Sequence, residues 1–146
     1  MENNQLKQLI DTSSRIILKV GSSLLINENN NDINYHWLKN FSKEIQSLTD
    51  KKKQIMIVSS GSVALGRKQL NLVKNLSLDE KQAAAAVGQI HLSHAWKEVL
   101  KSFNLESAQI LLAPDDTETR RKHLNARATS LKLLQLNVIP VINEND

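Results

Sequence analysis

Apolar residues in this chain gather in short unbroken runs separated by longer stretches of helical spacing. Arg15 to Val20 (RIILKV) is apolar almost throughout and stops at Gly21, and Gln54 to Ser59 (QIMIVS) is built the same way. Runs of this length without polar alternation predict strands buried on both faces. Ala108 to Leu112 and Val138 to Ile142 predict two more. Between the first two, Tyr35 to Leu48 sets Leu38, Phe41, Ile45 and Leu48 on one helical face. Ser62 to Leu70 predicts a short helix, and Ser77-Leu78-Asp79-Glu80 is a capping box that opens a long one, to about Ser102. Thr119 to Leu136 predicts a further helix, and Asn27 to Asn34 an Asn-rich loop. The elements follow one another as β, α, β, α, α, β, α, β.

Strands that alternate with helices imply an α/β fold with a mostly parallel sheet covered on both faces, because each parallel return needs a crossover. In such sheets ligands collect beyond the carboxyl ends of the strands, and small polar loops fall there in this chain. Lys19 closes the first strand and is followed by Gly21, Ser22 and Ser23. Backbone N–H groups and hydroxyls of that turn can face an anion while the lysine supplies a mobile charge. It is not a Walker A loop, in which the lysine follows the glycine and opens a helix. The second loop, Ser59-Ser60-Gly61-Ser62, leads from a strand into a helix, so its amides carry the positive end of the helix dipole. An ordinary serine N-cap with a glycine for the turn would read the same. Gly66 and Gly88 sit inside helical segments at a cost of about 1 kcal/mol each relative to Ala. They imply close backbone approach, as does the Ala83 to Ala86 face.

Composition narrows this picture. A chain of 146 residues with 40% apolar content can bury one core and is too short for two domains of ordinary size. The absence of cysteine excludes disulfides and thiolate metal sites and fits a reducing, cytoplasmic compartment. No apolar run approaches the roughly 18 residues of a membrane span, and residues 1–14 read as a polar N-terminal extension rather than a signal segment. The formal charge of +4 is diffuse. Lys51 to Lys53 lie where a helix must turn back to a strand and predict a solvated loop. Arg120, Arg121, Lys122 and His123 follow Asp115, Asp116 and Glu118, an order that suits a helix dipole without a ligand. Aromatic residues make up only 3%, which leaves no stacking platform for single-stranded nucleic acid. His91 and His94 have no carboxylate at ligand spacing, so no metal site is expected. Trp37 and Trp96 are expected to face the core.

Five blocks then carry a resemblance: KVGSSLL from Lys19, SSGSVALGR from Ser59, KQAAAAVGQ from Lys81, LNARAT from Leu124 and VIPVINEND from Val138. In this order and at these separations, residues 15–146 resemble the amino-terminal half of the catalytic domain of the glutamate 5-kinases, within the amino acid kinase family. The resemblance implies a three-layer αβα sandwich. It also implies transfer of the γ-phosphoryl group of Mg-ATP to the γ-carboxylate of L-glutamate, giving γ-glutamyl phosphate, the first step of proline biosynthesis. It assigns Lys19 to the transferring phosphoryl group with Gly21 and Ser22 in the phosphate-binding turn, Ser60 and Gly61 to glutamate, and Asp146 to the substrate ammonium. The family turn usually has Thr where this chain has Ser22, and Ala where it has Ser62. By the same resemblance the nucleotide pocket, a second phosphate-side lysine and a further substrate-binding asparagine belong to sequence beyond Asp146, as does, in many members, an RNA-binding-like PUA domain. The expected partners are glutamate and ATP, with a homo-oligomer admissible and neither membrane nor nucleic acid favoured. Asn125 and Arg127 receive no role. Three readings stand side by side: part of a longer active kinase, a truncated non-catalytic remnant or binding module of that family, and a basic nucleic-acid-binding α/β domain.

Overall fold

The computed structural model describes residues 2–27, 29–73, 75–112 and 120–144. The order is α1 (Glu2–Thr12), β1 (Arg15–Val20), the single turn α2 (Ser22–Leu25), β2 (Ile26–Asn27), β3 (Asp32–Ile33), α3 (Tyr35–Asp50), β4 (Gln54–Ser59), α4 (Ser62–Gln69), α5 (Leu78–Ser102), β5 (Glu106–Leu112), α6 (Arg120–Gln135) and β6 (Val138–Glu144). The four long strands form one parallel sheet in the order β1-β4-β6-β5. The sheet with its flanking helices makes an αβα arrangement, the class expected.

Chain order fixes which face each helix covers. From β1 to β4 and from β4 to β5 the chain advances along the sheet in one direction, and from β5 to β6 it returns. Right-handed crossovers therefore place α3 and α5 on one face and α6 on the other. Accordingly α3 and α5 pack on each other, while α6 packs on β6 and β4. The core fills the first interface: Ile55 and Ile57 of β4 and Ile139 and Val141 of β6 meet Leu38 and Ile45 of α3 and Leu92, Trp96 and Leu100 of α5. Pairing of β6 with β4 is confined to Ile57↔Val141 and Val58↔Ile142, just past Pro140, which has no N–H to give to a ladder.

Several helix ends follow from local chemistry. The Ser77 hydroxyl accepts from Glu80 N–H at 3.3 Å and the Glu80 carboxylate accepts from Ser77 N–H at 2.8 Å, the expected capping box. Asn34 caps α3 through its side chain, which accepts from Trp37 N–H. Asn71, Asn104 and Asn137 take left-handed conformations just past α4, α5 and α6. In a chain with few glycines, asparagine stops these helices because its side chain tolerates that region.

The fold departs from the sequence reading in three places. β1 is not buried on both faces: it is an edge strand of the described sheet, and Ile17 is 62% exposed. Residues expected to be a loop contain the β2–β3 hairpin. Within the polar stretch 1–14 the chain forms α1. Lys53, expected to be solvated, instead donates to the carbonyls of Asp11 (2.6 Å) and Ser13 (2.5 Å) and fastens the end of that helix. Trp96 is buried as expected, and Trp37 packs against the core, stacked on Phe41 at 4.7 Å.

Candidate active site

A cleft of about 680 Å³ opens beyond the carboxyl ends of β1 and β4. The turn after β1 and the start of α4 form two of its walls, and both are set by small residues. Ser60 donates to the Val20 carbonyl through its amide (3.2 Å) and its hydroxyl (3.3 Å), which pins the β4 loop to the end of β1. Gly61 has φ +118°, and a Cβ there would stand 3.2 Å from Ile26 Cγ1. Only glycine meets both conditions without strain. Gly61 then N-caps α4 with no side-chain cap, so the first amides of the helix, at Ser62, Val63 and Ala64, line the cleft without a side-chain acceptor.

The position of α4 is fixed from behind. A Cβ at Gly66 would fall 1.7 Å from Ala84 O, and one at Gly88 would fall 1.8 Å from Ser62 O. The two helices therefore cross with backbones in contact, the approach expected from the glycines. Asn143, buried at the end of β6, donates to Ser62 Oγ at 3.4 Å and to Gln89 Oε1. One side chain thus ties β6, α4 and α5 together at the floor of the cleft. On the outer side, Lys68 holds Asp32 at 2.7 Å and Arg67 reaches Asn31 Oδ1 at 3.4 Å, joining α4 to the hairpin. The Lys68 hydrogen bond, followed by the Ile33 N–H, keeps the Asp32 carboxyl below its usual range. A depressed carboxyl of this kind stabilises above its unfolded pKa, and the contribution fades as pH falls through the folded one. At an exposed pair the gain is small.

The electrostatics of the cleft are one-sided. Lys19 from β1, Arg67 from α4 and Lys81 from the first turn of α5 line it, and the described lining includes no carboxylate. With the α4 amides, these cations make a receptor for anions. Magnesium is ordinarily held through carboxylates together with substrate phosphates. The described lining offers serine hydroxyls and the amides of Asn75 and Asn143 but no carboxylate, and among the described residues no group of three His, Asp or Glu side chains gathers to hold a metal ion. His94 meets only Glu98, at 3.5 Å on an exposed part of α5.

Of the residues singled out from sequence, Lys19, Ser22, Ser60 and Gly61 line one cleft. Gly21 N-caps α2 between two lining residues, Val20 and Ser22. Asp146 lies outside the described residues. Sequence reasoning missed Asn143, Arg67 and Lys81. Asn143 stands in the same VINEND block as Asp146, and Arg67 and Lys81 lie within or beside the glycine and alanine blocks, so each was adjacent to a recognised signal.

Residues 14–146 match the model of the amino acid kinase family. The chain is 47% identical over 134 residues to a protein named glutamate 5-kinase from Paramagnetospirillum magneticum, covering 92% of this chain and 36% of that protein. It is 50% identical over 133 residues to the glutamate 5-kinase of Rhodopseudomonas palustris strain BisB5 (90% and 35%) and 48% identical over 137 residues to that of Caulobacter vibrioides (93% and 36%). The chain thus spans little more than a third of the length of these relatives. The family match spans residues 14–146, which include every described residue of the cleft, and on that ground the chain belongs to the amino acid kinase family.

Proposed function

We propose that the cleft is the acceptor side of a glutamate 5-kinase, working with MgATP as the phosphoryl donor. The observation that carries this is the meeting of Lys19 with the uncapped amino terminus of α4 in a cleft whose described lining holds three cations and no carboxylate. The relatives' names and their identity to this chain of about one half supply the substrate pair.

The chemistry asks little of the protein beyond placement. A γ-carboxylate oxygen of glutamate attacks the γ-phosphorus, an O–P bond forms, the bond to the bridging oxygen breaks, and ADP leaves. The nucleophile is already ionised at neutral pH, so no general base is needed. What remains is to hold two anions in line and offset the charge that builds on the phosphoryl oxygens. Lys19 and the Gly21–Ser22 turn face that group. Ser60 and Gly61 position the amino acid, and Asp146 supplies the counter-charge for its ammonium. Among the described residues no helix is long and apolar enough to cross a membrane. A cytoplasmic setting and self-association of the chain belong to the same proposal.

The test is a chimera in which residues 14–146 replace the aligned part of the Paramagnetospirillum magneticum protein, assayed for γ-glutamyl phosphate by hydroxamate trapping. The chimera should turn over, and Lys19→Ala should lower kcat by about 10² to 10³, the scale for removing one charge-stabilising donor. Met1–Asp146 by itself should show no turnover. A folded chimera that is inactive, or one indifferent to Lys19→Ala, would overturn the reading.

A further inference from the structure

The cleft carries more positive charge than a single transferring group requires. Lys19 stands at the end of β1, beside the Gly21–Ser22 turn. Arg67 and Lys81 come from α4 and α5, on another wall. Arg67 lies five residues past Ser62, so its Cα is about 7.5 Å along the α4 axis from the first turn.

Neither cation on this second wall is neutralised by a carboxylate among the described residues. Arg67 is half-buried and its recorded contact is a neutral amide, Asn31 Oδ1 at 3.4 Å. Asp32, the acidic side chain of the hairpin among the described residues, is committed to Lys68, the next residue along α4. Lys81 follows Glu80, whose carboxylate is occupied by the Ser77 amide (2.8 Å) and hydroxyl (3.0 Å) of the capping box. Asp32 and Glu80 are thus engaged elsewhere, and among the described residues both cations line the cleft with no carboxylate beside them in its lining. A half-buried guanidinium without a counter-charge is costly unless an anion arrives to meet it.

We infer that Arg67 and Lys81 bind a second anionic group of the acceptor, the α-carboxylate of an amino dicarboxylic acid, while its other carboxylate reaches toward Lys19. This rests on the acceptor reading above and deepens it by naming the residues that distinguish a dicarboxylate from a monocarboxylate. The cationic poles on two walls then act as a selector. An acceptor with only one carboxylate leaves one pole unpaired, and the cost of that unpaired, partly desolvated charge is the discrimination.

The experiment is a ¹⁵N–¹H shift titration of the purified full chain with L-glutamate, with its α-carboxamide isoglutamine, and with inorganic phosphate. Glutamate should shift the amides of Ser60 to Ala64, Arg67 and Lys81, and should bind about tenfold or more tightly than isoglutamine, the scale of one lost charge-assisted contact. Arg67→Ala and Lys81→Ala should each weaken glutamate and remove most of its advantage over isoglutamine. Arg67→Lys should restore part of the preference, and Lys101→Ala, in the last turn of α5 and outside the cleft lining, should change none of it. A glutamate preference that survives both alanine variants would overturn the inference while leaving the kinase reading in place. Shifts with phosphate but none with glutamate would overturn the acceptor reading, and the inference with it.

Discussion

The Ser59 hydroxyl, at the last position of β4, accepts a hydrogen bond of 2.9 Å from the indole N–H of Trp96, a side chain 1% exposed. This contact joins the floor of the cleft to the centre of the core, because the next residue, Ser60, turns outward and bonds the Val20 carbonyl. Ser59→Ala keeps the strand but leaves the indole N–H buried without an acceptor, a loss of about 1–3 kcal/mol. Thermal melting should show the drop, while Ser59→Thr, which keeps the oxygen, should recover most of it. An unchanged melting point in the alanine variant would mean that water replaces the hydroxyl. Ser59 was legible only as part of a polar loop. Its inward direction depends on strand parity, with Ile55, Ile57 and Ser59 sharing the buried face.

Among the elements, the crossing of α4 and α5 decides whether the cleft exists. Gly88 makes contact with the backbone of α4 at both Ser62 O and Gly66 N, and neither can yield as a flexible side chain could. Gly88→Ala must push the helices apart, at a cost of about 1–3 kcal/mol or more for overpacking, which outweighs the gain of about 1 kcal/mol that alanine brings to a helix interior. The same displacement carries Ser62, Val63 and Ala64 away from the cleft. Denaturant melts of the purified variant should therefore show reduced stability, and its phosphate affinity should fall alongside. A variant at least as stable as the parent would mean that the two helices part without loss. The glycines were visible in the sequence as expensive choices inside helices, but which helix each one touched was not.

For the whole molecule, the consequence lies in the sheet face opposite α3 and α5. Ile17 on β1 pairs in register with Met56 on β4, and α6 leaves the β1 end of this face open among the described residues. An exposed parallel edge with an apolar face favours pairing with another chain. Purified Met1–Asp146 should associate with rising concentration in sedimentation velocity, and Ile17→Lys should shift it toward monomer without changing its far-ultraviolet circular dichroism. A chain that stays monomeric across the concentration range would show that the open face is tolerated as it stands. Leu6 and Leu9 of α1 are likewise exposed, so the amino-terminal helix adds apolar surface of its own.

Local pattern determined most of the element list and the two loops that meet in the cleft. The capping box, the two glycine turns and the apolar runs act over a few residues, and their physical preferences do not depend on distant neighbours. Lys19, Ser60 and Gly61 could be named for that reason. Tertiary structure decided everything that needs two elements at once. Strand order places β6 between β4 and β5, which brings Asn143 onto Ser62 and Gln89. The glycine crossing sets Arg67 and Lys81 on a shared wall, and the Asp32–Lys68 pair leaves Arg67 without a carboxylate among the described residues. Burial of β1 was misjudged for the same reason. An apolar run reports that a strand prefers cover, but whether a helix reaches it depends on the path of the crossover, which one strand's sequence does not encode.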